Sequence, residues 1–129
     1  MGFAQKEAPL AWLGRWNLKR RLLVIDRDDI RRKTRVTLLL SAGYEVELRD
    51  EHLIAEEENH DVDLIILAVR RGNEREDLAC SERLREKNST LPILLLTDTG
   101  VVIPKGTLSQ SVEAGYPLEL IRKIEEMLA

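Results

Sequence analysis

The sequence predicts an α/β domain built on a doubly wound parallel sheet, and two observations carry that prediction. Short apolar runs alternate with amphipathic helical stretches along most of the chain. Such an order gives parallel strands, right-handed crossovers and helices on both faces. One run, residues 64–69, is apolar without a break, as a central strand covered on both faces must be. A length of 129 residues suits one domain of this kind and is too short for two of ordinary size.

Residues 22–25 form a short Leu/Val/Ile run that reads as the first strand. Asp28 and Asp29 follow as helix N-cap candidates, with acid at the positive end of the helix dipole. That helix continues through residues 38–40 and stops at Gly43, a residue that tolerates a left-handed C-cap. Residues 44–48 alternate polar and apolar with period two, which predicts an edge strand with one wet face. Residues 51–59 predict a short acidic helix anchored by Leu53 and Ile54. Residues 74–87 carry Leu78 and Leu84 on a charged background, an amphipathic helix. Pro92 opens the next strand, residues 93–96, which ends at Thr97. Pro117 suits the first position of a last helix, with Leu118, Ile121, Ile124 and Leu128 expected to face the core.

Composition excludes several classes. Apolar residues make up 43% and charged residues 33%, and the net charge is −3, a balance that argues against general affinity for nucleic acid or membranes. The longest apolar runs are about six residues, against the roughly 18 needed to cross a bilayer. Gly14, Arg15 and Asn17 interrupt any signal-peptide core. A single cysteine, Cys80, makes neither an internal disulfide nor a zinc motif, and a reducing, cytoplasmic setting is expected. Within an amphipathic helix it reads as a small apolar filler. The net charge conceals an uneven distribution: eight basic residues lie between positions 19 and 35, and nine acids between 45 and 63. These runs read as solvated faces of two neighbouring surface helices or as a charge-steered docking surface.

In a doubly wound sheet, chemistry sits beyond the carboxyl ends of the strands. The positions that matter are residues 26–29, 68–73 and 97–100. There the segments LLVIDRDDIRRKTRVTLLLSAGYEVEL, DVDLIILAV and LPILLLTD resemble the first, second, third and fourth strands, with the first helix, of bacterial response-regulator receiver domains. The spacing from Asp26 to Gly43 also matches that family without a gap. The likeness runs from residue 21 to about residue 97, and more loosely through the last helix. It implies a five-stranded, flavodoxin-like receiver fold in residues 20–129, after an N-terminal extension of residues 1–19. The stretch between Thr97 and Pro117 is short for the family, which implies a shortened or missing fourth helix.

The resemblance also implies what to look for. A receiver moves a phosphoryl group onto an aspartate at the end of strand three, helped by a magnesium ion on two acids after strand one. A threonine after strand four and a lysine after strand five complete the pocket. Here Asp26 matches the first acid, but the second aligns with Arg27. The acceptor aspartate aligns with Ala68, whose methyl group is neither nucleophile nor ligand. Thr97 matches the threonine, while the lysine position aligns with Glu113, Lys105 being the less favoured candidate. Asp28 retains a ligating carboxylate with nothing for a metal to assist, and Asp63 begins its strand at the opposite end. No catalytic residue, metal or cofactor is expected from this vestigial set.

Arg27, Arg70 and Arg71 are expected around the rim, where a guanidinium cluster suits an anionic or phosphate-bearing ligand. The alternative has Arg27 pairing with Asp26 or Asp28, and Arg70 and Arg71 solvated. An Arg–Asp contact in this place would imitate the charge balance of a loaded pocket and lock one conformer. His52 and His60 lack a third ligand at zinc spacing and read as surface residues. Trp12 and Trp16, with Leu10 and Leu13 at helical spacing, either fold back on the domain or anchor a partner.

The sequence therefore predicts a non-enzymatic pseudo-receiver, a signalling or adaptor module that contacts a protein partner in trans without phosphorylation. Homodimerisation is a further candidate. With the fourth helix reduced, contacts are expected from the family's first and fifth helices or from the tryptophan arm. The second functional reading is a sensor of a small anion at the arginine-rimmed pocket.

Overall fold

The computed structural model describes residues 19–49 and 61–129. The arm with Trp12 and Trp16, the expected helix at residues 51–59, and His52 and His60 lie outside the described residues. In chain order the described elements are β1 (Arg21–Ile25), α1 (Asp29–Ser41), β2 (Glu45–Arg49), β3 (Leu64–Val69), α2 (Glu74–Lys87), β4 (Ile93–Thr97), β5 (Gln110–Glu113) and α3 (Pro117–Leu128). The strands form one five-stranded sheet in the order β2-β1-β3-β4-β5, and every neighbouring pair is parallel.

Local chemistry sets the element ends. The Asp28 side chain accepts a hydrogen bond from the Arg31 amide at 2.9 Å, so Asp28 is the N-cap of α1. At the other end Gly43 takes φ +97°. The Gly43 amide donates to Leu40 O at 3.0 Å and the Tyr44 amide to Leu39 O at 3.2 Å. Tyr44 is therefore still closing the helix, and β2 starts one residue later than the alternation suggests, with the Glu45 amide donating to Arg20 O at 3.0 Å.

Strand alternation divides the core in two. On one face Leu23, Ile25, Ile65, Leu67 and Leu95 meet Cys80 and Leu84 of α2. On the other, Leu22, Val24, Ile66, Leu94 and Leu96 meet Leu39 of α1 and Leu120 and Ile124 of α3. All six residues of β3 are buried, as its unbroken apolarity requires. Cys80 is buried among apolar neighbours, and burial pushes its thiol pKa up.

Two expectations about packing are corrected. Leu118 does not face the core: it is 82% exposed, and the stripe runs through Leu120, Ile121, Ile124, Met127 and Leu128. Pro117 opens the helix, and Leu118 falls in its first turn, ahead of the buried residues Leu120 and Ile124. Nor do the basic and acidic runs belong wholly to separate helix faces. Arg20 and Arg21 lead into β1 beside Glu45 of β2, with Arg21 Nε 3.4 Å from Glu45 Oε1 and Arg21 Nη1 3.1 Å from Asp61 Oδ2. Part of the charge is thus neutralised across the amino-terminal end of the sheet.

Between β4 and β5, residues 98–109 contain no helix. The connection crosses as an irregular segment that lays Val101 and Ile103 on the α2-side core. This is the missing fourth helix of the sequence prediction. β5 itself is mostly polar, since only Val112 packs into the α3-side core, and its pattern gave little apolar signal.

Candidate functional site

The carboxyl ends of β1, β3 and β4 bring Asp26, Ala68 and Thr97 level. Ile25 pairs with Leu67, so Asp26 and Ala68 stand side by side one residue further on. Ala68 pairs with Leu96, and Val69 with Thr97, which in turn faces Glu113 of β5. Ala68 is 5% exposed and shares the strand face of Leu64 and Ile66, the face covered by α1. Thr97 is buried and its hydroxyl donates to Val112 O at 3.3 Å. Asp63 lies at the far end, where its Oδ2 accepts from the Arg21 amide at 2.8 Å.

Asp26 is 3% exposed and its two oxygens are taken up differently. Oδ1 accepts the Asp28 amide at 2.9 Å, while Oδ2 forms an ion pair with Arg35 Nη1. Arg35 sits in the second turn of α1, itself 9% exposed. Helical side chains lean toward the helix N-terminus, which carries its guanidinium back over the end of β1. Burial raises the Asp26 pKa above its ordinary value, and the Asp28 amide and the Arg35 charge only partly oppose that rise.

Asp98, the residue after β4, completes a network across three strands. Its Oδ1 pairs with Arg31 Nη1 and lies 4.0 Å from Arg35 Nη2, and its Oδ2 accepts the Arg71 amide at 3.1 Å. Burial pulls the Asp98 pKa up, but the hydrogen bonds from Arg31 and from the Arg71 amide, with the charges of Arg31 and Arg35, outweigh it and leave the carboxyl below its ordinary value. Arg35 therefore bridges an acid after β1 and an acid after β4.

The three arginines grouped by the sequence are not brought onto one anion site. Arg27 Nη1 lies 2.7 Å from Glu76 Oε1 of α2, and not against Asp26 or Asp28. Arg70 turns to the same helix: its amide and Nε donate to Asp77 Oδ2 at 2.9 and 3.2 Å, and Nη2 to Oδ1 at 2.9 Å. Asp77 is fully buried, and its hydrogen bonds hold the Arg70 proton more firmly. The acids in the first turn of α2 explain this division. Arg71 alone of the three turns toward α1, its guanidinium resting over Gly100.

The arrangement does not fit a divalent cation. Such an ion needs several oxygen donors. Here both oxygens of Asp26 are engaged, a guanidinium lies on one of them, and the neighbouring position carries Arg27. Among the described residues no group of three or more His, Cys, Asp or Glu side chains could hold a metal. Sequence reasoning missed Arg31, Arg35 and Asp98. The signal was present: Arg31 and Arg35 are four apart on one helix face, and Asp98 follows Thr97 at an inspected strand end.

Solved structures similar to this one decide the fold. A TM-score of 0.71 relates it to the N-terminal domain of a response regulator/sensory box/GGDEF 3-domain protein from Carboxydothermus hydrogenoformans, at 20% identity over 84% of this chain and 94% of that one. The chemotaxis protein CheY4 of Vibrio cholerae matches with TM-score 0.64 and 23% identity over 85% and 99% of the two chains. The chain has the receiver fold. A third receiver, the response regulator TrrA solved in complex with the histidine kinase ThkA, matches with TM-score 0.68 and 22% identity over 85% and 99%. No family model matches the sequence, and no curated protein does. Within the receiver fold, Ala68 occupies the next-to-last position of the central strand, and no helix of the described residues is long and apolar enough to cross a membrane.

Proposed function

We propose that this chain is a pseudo-receiver: a cytoplasmic signalling or adaptor module that acts by protein contact, without phosphorylation and without catalysis. The observation that carries the reading is the methyl group of Ala68 beside Asp26, where an acyl phosphate would need a carboxylate. Arg35 supports it. A guanidinium fixed on Asp26 supplies a permanent positive charge where a receiver would draw one from a metal, so one conformer is held without a ligand.

A module of this kind transmits through its surface. Ile30, Tyr116 and Leu118 are large, exposed apolar side chains on or next to α1 and α3, the two helices that share one face of the sheet. A partner protein or a second copy docking there would cover them.

Intact mass after incubation with acetyl phosphate and magnesium tests the proposal. The mass is expected to stay unchanged. A gain of about 80 Da, one phosphoryl group, would overturn it.

A further inference from the structure

Beside the Asp26–Arg35 pair lies a cleft of about 530 Å³, between α1, the end of β4 and the start of α3. Its volume is in the range of small-molecule sites, and its walls differ in chemistry. Leu38, Leu96 and Leu120 make an apolar floor, and Ile30, 80% exposed, stands on the rim. The opposite wall carries three cations, Arg31, Arg35 and Arg71, against one anion, Asp98. Asp26 lies behind that wall, buried and committed to Arg35.

The three guanidiniums are not equivalent. Arg31 and Arg35 are held by Asp98 and Asp26, whereas the Arg71 guanidinium has no carboxylate partner among the described residues. The Asp98–Arg71 amide bond anchors its backbone, and Gly100, at φ +89°, leaves room for the guanidinium to lie across the turn 3.6 Å from where a Cβ would be. The N-terminus of α3 adds positive potential at the same mouth. Gly115 and Pro117 line it, and the N-cap Tyr116 makes no side-chain capping bond.

We infer that this cleft binds a small organic anion with one carboxylate or phosphate head and a short apolar body. The head docks on the Arg71 guanidinium, whose fork matches both acids, and the body lies over Leu38, Leu96 and Leu120. Binding covers Ile30 and gives the Arg71 guanidinium the acidic partner that Arg31 and Arg35 already have in Asp28, Asp98 and Asp26. This inference stands apart from the phosphorylation-independent reading, because the cleft would remain if Ala68 were shown to be irrelevant.

Amide chemical-shift titrations of the full chain with octanoate, octanol and acetate test it. Octanoate is expected to shift the amides of Thr34, Thr99 and Gly115 saturably, with octanol and acetate each at least tenfold weaker. Arg71→Gln is expected to weaken octanoate at least fivefold while the rest of the spectrum stays in place. Thr34→Trp, a substitution at an exposed helix position on the cleft wall, should abolish binding by filling the space. Absence of a saturable octanoate shift, octanol or acetate binding as tightly as octanoate, or unchanged affinity in either variant would overturn the inference.

Discussion

The Arg35 guanidinium lies on the buried carboxylate of Asp26, nine residues earlier in the chain, and so ties the second turn of α1 to the end of β1. Both groups are almost out of water, and each needs the other. Arg35→Ala leaves a buried carboxylate with only the Asp28 amide as partner, and should lower unfolding free energy by about 3–5 kcal/mol. Asp26→Asn keeps a neutral acceptor for that amide and should cost less. The double variant should be more stable than the sum of the two losses implies, which urea denaturation of all four proteins measures.

The two acids bridged by Arg35 should respond to pH in opposite senses. Asp98 has a lowered folded-state pKa, so its contribution is present above the ordinary value of 3.8 and is lost as pH falls through the folded value. Asp26 has a raised one. The folded state then holds its proton longer than the unfolded state, and stability from this group declines as pH rises from 3.8 through the folded value. Urea midpoints across the acid range should show the wild-type advantage over Asp98→Asn shrinking below 3.8, and that over Asp26→Asn shrinking above it.

Asp77 is fully buried and receives three hydrogen bonds from Arg70, which pins the turn after β3 to the first turn of α2. Asp77→Ala should destabilise by about 3 kcal/mol or more, since a backbone amide and a guanidinium lose their acceptor together. Denaturant unfolding should show a lower midpoint at an unchanged slope.

The corrected stripe of α3 separates two leucines that sequence spacing alone would confuse. Leu120→Ala removes a side chain that is 3% exposed and should cost about 2–5 kcal/mol. Leu118→Ala, on the exposed side, should change stability by no more than about 0.5 kcal/mol. Thermal unfolding of the two variants side by side distinguishes the register found here from the one first expected.

The parts of this fold readable from sequence are those where one residue type satisfies one local demand. The bounds of β3 and α2 were legible because an unbroken apolar run and an acid-led amphipathic stretch each have few competing conformations. Asp28 and Gly43 marked the ends of α1 for the same reason. β5 was not legible, because an edge strand turning one apolar residue to the core leaves almost no periodic trace. Of the site, Asp26, Ala68, Thr97 and Glu113 fell on strand ends, where register alone aligns them. The arginines were harder. A guanidinium on a long stem reaches any acid within several ångströms, so Arg27 and Arg70 went to Glu76 and Asp77 of α2, while Arg35 went to Asp26. That choice is made in three dimensions, by which helix face overhangs which strand end.

With Arg35 on Asp26 beside the methyl of Ala68, the receiver fold is expected to stay in one state whatever phosphodonor is present. Amide correlation spectra of the full chain, recorded with and without magnesium and acetyl phosphate, test this most directly. Superimposable spectra are expected through residues 26–35, 68–71 and 97–114. A concerted displacement of those signals would contradict it.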